Sequence, residues 1–428
     1  MPASSPPPPH PWRWIPSLYF AQGIPYVAAM TLSVVLYKNL DVSNTDIALY
    51  TSWLYLPWVI KPLWSPLVEL YRTKRFWIVG LQFVLGIALA LVAFLLPGPF
   101  FFQATLAVFW LIAFSSATHD IAADGFYLLA LPPHQQAAFV GVRSTFYRLA
   151  MISGQGGLVW LAGLLHEKTG NVIHGWMWVF GLASAFFLAV AAYHAWSLPR
   201  PPADTAQPQP SHFAAGYLAV FAAFFRKKGI LAGLAFLVLY RFAEAQLLKL
   251  VVPFLLDARH TGGLGLSTRQ VGIFYGTIGV IALTLGGILG GLAIACFGLR
   301  RMLWPMAALL SAPNAVFVFL ALGQPASASI VATALAVEQF GYGFGFTAYM
   351  LYMMLLAEGE HRTAHYAICT GFMALGMMLP GMAAGWLQEQ LGYLNFFLWI
   401  CLATIPTFAA TAFITAKVDP AFGRKTST

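Results

Sequence analysis

Twelve apolar stretches, separated by short polar turns, occupy nearly the whole of this chain. Each is close to the roughly 20 residues that a helix needs to cross the hydrocarbon core of a bilayer. Barrel strands would alternate apolar and polar positions over about ten residues, and these stretches do not. The pattern therefore predicts an all-α membrane protein with 12 transmembrane helices. Their approximate limits are residues 14–37, 46–70, 76–97, 102–125, 137–165, 172–196, 229–256, 269–296, 302–322, 328–357, 363–387 and 393–416.

Composition and charge support this class and predict an orientation. Hydrophobic residues make up 60% of the 428 positions and charged residues 9%, which excludes an ordinary soluble domain. The net charge of +9 is uneven. With the N-terminus in the cytoplasm, fifteen Lys and Arg residues of the tails and turns fall on that side and four fall opposite. This positive-inside bias predicts a multi-pass inner-membrane protein with both termini cytoplasmic, and no nucleic-acid partner. The four opposite residues are Lys38, Lys168, Arg259 and Arg269.

The chain divides into two halves of six spans each. Residues 1–13 predict a disordered Pro-rich tail, 14–196 the first bundle, 197–228 a polar cytoplasmic linker, 229–416 the second bundle and 417–428 a cytoplasmic tail. A short basic turn follows the second span of each half, at residues 72–75 and 300–301. This six-plus-six layout resembles the major facilitator superfamily, in which two bundles rock about a midplane site. The first turn resembles that superfamily's loop signature, with Glu69 in place of the usual Asp.

Ionisable side chains inside the predicted spans form a first group near the cytoplasm. Such residues cost about 2.5–3.5 kcal/mol each on insertion scales, and they usually face partners or a wet cavity. Asp120 and Asp124 are four residues apart and share a helix face. We expect them to lie near Lys61, Arg143 and Arg148. Two interpretations stay open: an ion-pair network that gates the cytoplasmic side, or a carboxylate that carries a proton.

A second group lies deeper. Glu244 and Glu338 fall near the middle of spans seven and ten, which line the central cavity in the superfamily layout. Isolated carboxylates at that depth fit proton coupling, because protonation removes the charge before a loaded carrier reorients. The alternative is static burial with Arg241 or Lys249 as counter-ion. These two cations would also suit an anionic substrate.

Other polar residues are weaker candidates for substrate contacts. Tyr19, Gln22 and Tyr26 surround Gly23 and Pro25, where we expect a local break in the first span. His119, next to Asp120, is a further candidate for proton coupling or substrate contact, and its spacing of five from Asp124 does not favour a metal site. The chain has no P-loop, HExxH, nucleophile-elbow or dinucleotide motif. The sequence thus predicts no enzyme, no cofactor and no bound metal.

Several segments resemble the bacterial muropeptide permeases, the AmpG-like branch of the superfamily. They are IKPLWSPL at residues 60–67, AFSSATHDIAAD at 113–124, Tyr147-Arg148 with Gly157 and Trp160, Glu338, and Gly381 with Gly385-Trp386. The resemblance implies proton-driven import of anhydro-muropeptides, with functional roles for Lys61, Asp120, Asp124, Arg148 and Glu338. His119 replaces the family's usual Gln, Glu244 stands where Asp is expected, and Lys249 has no counterpart.

These observations predict a proton-coupled symporter that imports a polar, anionic solute by alternating access, acting as a monomer in the lipid bilayer. Its gate would comprise Lys61, Glu69, Asp120, Asp124 and Arg143. Two alternatives stay open. One is a permease for another solute, such as a siderophore, an acyl-CoA-like compound or a drug. The other is a non-transporting membrane enzyme or sensor.

Overall fold

A computed structural model describes residues 10–202, 204–205, 213–359 and 361–424, without the side chains of residues 69, 70, 133, 137, 140 and 213–217. Within these residues, twelve helical rods, α1 to α12, form the two bundles, and a linker helix, Phe213–Phe225, lies between α6 and α7 in the chain. The first six are α1 (Ile15–Val27, Ala28–Leu32 and Ser33–Asn39), α2 (Asn44–Trp53 and Leu56–Leu70), α3 (Lys74–Leu95), α4 (Phe101–Ala130), α5 (Pro133–Ile152, Ser153–Leu158 and Val159–Thr169) and α6 (Val172–Ser197). The last six are α7 (Ile230–Leu239 and Phe242–Leu256), α8 (Thr268–Val271, Gly272–Gly279 and Val280–Phe297), α9 (Leu299–Ser311, Ala312–Asn314 and Ala315–Gly323), α10 (Ala328–Leu356), α11 (362–391) and α12 (393–402 and Ile405–Thr415).

The rods match the twelve predicted stretches, with ends that differ by a few residues. Nine helical segments of the described chain are long and apolar enough to cross a membrane. The count is lower than twelve for structural reasons. α11 and α12 form one run that turns at Gly392, whose φ of 73° suits glycine. α2 is broken after Trp53 into two short helices, and α10 is long enough but rich in Gly and Tyr.

The break expected at Gly23 and Pro25 lies one turn further along α1. The helix continues through both residues and then widens into a π-type turn at Ala28–Leu32. Proline lacks an N–H and crowds the preceding turn, so the helix must rearrange around it. The widening keeps α1 in one rod.

The two halves meet along two pairs of helices. Within the first half α3 packs against α4 and α6, and α1 packs against α5; within the second, α8 and α9 pack against α10. Between the halves, α2 packs on α11 and α5 packs on α8. Glycines allow this approach: a Cβ on Gly276 would lie 2.0 Å from the Gln155 carbonyl oxygen, and one on Gly385 would lie 1.9 Å from that of Asn44.

The described parts of the two chain ends and of the linker lie at one end of the bundle, which we call the linker side; the opposite end is the far side. The linker is attached to both halves. Asp204 accepts hydrogen bonds from the backbone N–H groups of Lys74 and Arg75, at 2.7 and 3.1 Å, at the start of α3. Lys227 follows the linker helix Phe213–Phe225 and donates to the carbonyls of Leu356 and Glu358, both at 2.7 Å. The predicted tail at residues 1–9 and linker residues 206–212 lie outside the described residues.

Candidate functional site

The first predicted cluster is assembled on the linker side, between α2, α4 and α5. Asp120 on α4 lies 3.6 Å from the Lys61 ammonium on α2, and its Oδ2 accepts a hydrogen bond from Trp58 Nε1 at 3.2 Å. The side chains of Lys61 and Asp120 are about one-fifth exposed. A Trp and a Lys one turn apart on α2 thus hold the same carboxylate.

Asp124, one turn further along α4, pairs with a different helix. Its Oδ1 lies 2.9 Å from Arg143 Nη2 on α5 and accepts a bond from the Tyr19 hydroxyl at 3.4 Å. The Arg143 guanidinium also stacks over the rings of Tyr19, at 4.6 Å, and Tyr127, at 5.4 Å. Tyr19, predicted as a substrate contact, therefore belongs to this cluster.

Every member of this cluster belongs to the first half. Arg148, expected beside it, lies elsewhere: it donates to Thr284 Oγ1 on α8 at 3.4 Å and so crosses to the second half. It sits five residues after Arg143, which turns it to another face of α5. The Glu69 side chain lies outside the described residues. The role of these residues as a gate stays a prediction.

The deeper group lies on α7 and α10 and is almost completely buried. Glu244 is 1% exposed, Glu338 2%, Lys249 4% and Arg241 6%. α7 is interrupted at Tyr240 and Arg241, and Glu244 falls in the first turn of the helix that restarts there. Its Oε1 accepts a hydrogen bond from Asn314 on α9 at 3.1 Å, while Oε2 has no hydrogen-bond partner among the described residues.

Neither cation neutralises these carboxylates. Arg241 contacts the Tyr342 hydroxyl, and its guanidinium lies 4.7 Å from the centre of the Phe346 ring. Glu338 Oε2 accepts a bond from Gln339 Nε2 at 2.8 Å. Within the described part of the chain, no ion pair of 4.0 Å or less joins any of the four charged residues of this group. The static counter-ion interpretation therefore finds no support in the geometry.

Lys249 reaches from α7 to the other half. Its ammonium donates to Thr51 Oγ1 on α2 at 3.0 Å and lies 5.2 Å from the centre of the Tyr55 ring. The neighbouring Ser52 hydroxyl is fully buried and has no hydrogen-bond partner among the described residues. Tyr26 and Gln22 of α1 are also present near the middle of the molecule: Tyr26 packs edge-on against Trp58 at 5.4 Å, and Gln22 Oε1 is buried and unpaired.

Sequence reasoning missed a polar contact that joins the halves on the far side. Asp257 Oδ1, at the end of α7, lies 2.6 Å from the Lys38 ammonium at the end of α1. Its Oδ2 accepts from Tyr393 at 2.5 Å, and Asn44 Nδ2 bonds Gln388 Oε1 at 2.7 Å. We call these five residues the far-side clasp. Opposite charges on one predicted side of the membrane were the available signal for the Lys38–Asp257 pair.

Two further contacts extend the clasp. Glu389 on α11 accepts bonds from the Thr45 N–H and hydroxyl, at 3.0 and 2.6 Å, and so places a carboxylate at the N-terminus of α2. Arg269 on α8 lies 3.2 Å from Glu167 on α5. The halves are therefore held together on the far side by both helix pairs.

His119 faces the inside of the first bundle. Its Nε2 lies 3.0 Å from Gln82 Nε2 on α3, and both side chains are buried. The structure places it in a chain of buried polar side chains, and its role as a proton or substrate contact stays a prediction. Among the described residues, no group of three or more His, Cys, Asp or Glu residues could hold a metal ion.

Comparison with known proteins agrees with the fold. Residues 17–379 match the Major Facilitator Superfamily. The chain is 30% identical over 397 residues to the anhydromuropeptide permease of Escherichia coli (strain K12), covering 91% of this chain and 76% of that protein. It is 23% identical to the putative transporter AmpG 4 of Rickettsia conorii, over 94% and 96% of the two chains. A crystal structure of the nucleoside transporter NupG superposes with a TM-score of 0.67 at 15% identity, covering 94% and 98%. The predicted all-α fold of two six-helix bundles is confirmed.

Proposed function

Because the chain belongs to the Major Facilitator Superfamily, we propose that this multi-pass membrane transporter is a proton-coupled symporter. It imports a polar, anionic solute of the anhydro-muropeptide type across the bacterial inner membrane by alternating access. The observation that carries the proposal is the group of four buried, unpaired charges on α7 and α10. The sequence relationship to the E. coli permease supports the substrate class.

The two carboxylates suit proton coupling. A charge without a counter-ion is costly to move through a low-dielectric interior, and protonation removes it. Among the described residues, the Glu338 carboxylate accepts its hydrogen bond from the neutral amide of Gln339 and has no ion pair, so it gains and loses a proton without breaking one. Glu244 keeps one oxygen unpaired. Reorientation is then cheapest when these groups are protonated.

The two cations suit an anionic solute. Lys249 and Arg241 are held by hydroxyl groups and aromatic rings, which leave their positive charge uncompensated. A carboxylate of the solute supplies the missing charge through strong hydrogen bonds. Lys249 contacts α2 of the first half, so a solute bound there touches both halves.

The far-side contacts support alternating access. The clasp, Glu389 and the Arg269–Glu167 pair all join the two halves, whereas the two linker-side ion pairs found among the described residues lie inside the first half. This arrangement is expected of a carrier closed on the far side. With the linker and both termini in the cytoplasm, the closed side is the periplasmic one. The protein functions as a monomer, with lipid around the bundle.

Radiolabelled uptake into proteoliposomes tests the proposal. An anhydro-muropeptide with free carboxylates should accumulate only under an imposed proton gradient, and a siderophore, an acyl-CoA and an uncharged sugar should not. Accumulation without a gradient would contradict proton coupling. Uptake of another solute in the panel would contradict the substrate assignment.

Glu338→Gln should abolish proton-driven uptake and leave exchange of labelled for unlabelled solute intact, because the amide keeps the shape and loses the proton site. Glu358→Gln is the matched control, since that side chain is exposed at the linker side. Unchanged driven uptake in Glu338→Gln would exclude Glu338 as the coupling group.

A further inference from the structure

A chain of buried hydrogen bonds crosses the first half of the molecule from α1 to α4. Ser17 Oγ on α1 lies 2.8 Å from His194 Nε2 on α6, and His194 Nδ1 lies 2.9 Å from Gln82 Oε1 on α3. Gln82 Nε2 then lies 3.0 Å from His119 Nε2 on α4. Gln82 and both histidines are at most 1% exposed, and Ser17 is half-buried. Four helices are thus joined at the depth of Asp120.

The Gln82 side-chain amide determines which atoms donate and which accept along this series of hydrogen bonds. An amide oxygen only accepts hydrogen bonds, and an amide nitrogen only donates them. His194 Nδ1 must therefore carry a proton toward Gln82 Oε1, and His119 Nε2 must present its lone pair to Gln82 Nε2. A histidine with one bare nitrogen is neutral. The two histidines cannot both be cationic while the chain is intact.

Adding a proton to His119 requires the whole chain to reverse. The new Nε2–H would need the Gln82 oxygen, so the amide would have to turn over. His194 would then accept at Nδ1 and donate from Nε2 to Ser17 Oγ, and the Ser17 hydroxyl would donate to the Trp14 carbonyl oxygen, which is 3.2 Å away. Coupled changes of this kind in a dry interior oppose a single proton transfer.

The charges around His119 explain why its neutrality matters. Asp124 on its own helix interacts with it electrostatically, as does His194 on α6. A cation at His119 would attract the carboxylates of α4 and compete with their ion pairs to α2 and α5. Those pairs are Lys61–Asp120 and Arg143–Asp124.

We propose that Gln82, oriented by His194, is a positioning residue that keeps His119 neutral, so that a proton entering this half is held by a carboxylate of α4. The idea rests on the proposed proton coupling for its purpose. Two structural features of the proposal can be measured without a transport assay: the neutrality of His119 and the donor–acceptor order of the hydrogen bonds.

Solid-state NMR of ¹⁵N-histidine protein in proteoliposomes is the first measurement. The spectrum of His119→Gln identifies the His119 signals by their absence among the 10 histidines. We expect His119 and His194 to stay neutral from about pH 8 to about pH 6, a range in which ordinary exposed histidines become protonated. A cationic His119 within that range would overturn the proposal, whether or not the vesicles transport.

Gln82→Glu gives the second measurement, because a carboxylate accepts from both histidines. His119 should become cationic, and proton-driven uptake should fall about tenfold at neutral pH and recover as the pH rises and His119 loses its proton. Adding His119→Gln removes the cation and should restore uptake to the level of His119→Gln alone. If Gln82→Glu leaves both the His119 signal and the pH profile unchanged, the proposal is wrong. Wild-type vesicles without proton-driven uptake would refute the proposed function, and the NMR result would still decide the role of Gln82.

Discussion

The ion pairs at the two ends of the bundle differ in what they join. On the linker side, Lys61–Asp120 and Arg143–Asp124 both lie within the first half. On the far side, Lys38–Asp257 and Arg269–Glu167 both cross between the halves. A pair inside one rigid body moves with it, whereas a pair between two bodies must break when they separate. We therefore expect the far-side contacts to oppose separation of the halves and the linker-side contacts to organise the first half.

Forcing the halves apart should have the largest effect. In Gly385→Leu the new Cβ would lie 1.9 Å from the Asn44 carbonyl oxygen, so α11 cannot pack on α2. Overpacking of this kind costs about 1–3 kcal/mol, enough to shift the equilibrium toward far-side opening by about fivefold to a hundredfold. A cysteine at the buried position Ala48, in a cysteine-free background, should become labelled by an impermeant maleimide.

Gly291→Leu is the matched control, because no neighbouring atom of the described residues lies within 4 Å of a Cβ at that glycine. Its labelling should equal that of the parent protein. Equal labelling of the Gly385 and Gly291 variants would show that the far side is not held by the α2–α11 contact.

Breaking the clasp without adding volume should have a smaller effect. Asp257→Asn removes the negative charge of a carboxylate that pairs with Lys38 and accepts a hydrogen bond from the Tyr393 hydroxyl. The pair is partly exposed, so we expect a loss of about 1 kcal/mol and a fewfold rise in labelling at position 48. Exchanging the charges, with Lys38→Asp and Asp257→Lys together, should recover part of the closure. No recovery would mean that Asp257 acts through its neutral hydrogen bonds.

Breaking a linker-side pair should have the smallest effect on closure. Asp124→Asn removes the partner of Arg143, but both residues lie in the first half. The Arg143 side chain is 33% exposed and the Asp124 side chain 42%. We expect labelling at position 48 to stay the same. The free energy of unfolding in detergent should fall by less than about 1 kcal/mol. Labelling equal to that of Asp257→Asn would remove the distinction between the two ends.

Much of the linker-side cluster could be predicted, because the spacing and the membrane depth of its members can be counted along the sequence. Asp120 and Asp124 share a helix face by their spacing, and Lys61 and Arg143 fall at the same depth by counting along the spans. Arg148 was misplaced, since depth alone does not say which face of α5 it occupies. The far-side clasp combines residues from α1, α2, α7, α11 and α12, and no local spacing connects them. Gln82 and His194 gave no signal, because a neutral amide and a single histidine are ordinary residues within an apolar helix.

Twelve membrane helices in two halves follow from the amino-acid pattern alone, because a bilayer demands long apolar segments and leaves few alternatives. The same pattern locates the charges that interrupt those segments. Which of these charges are paired depends on how the helices pack. Pairing depends on helix rotation and on close glycine contacts between distant helices, so the four charges on α7 and α10 are left uncompensated and the far-side charges join the halves.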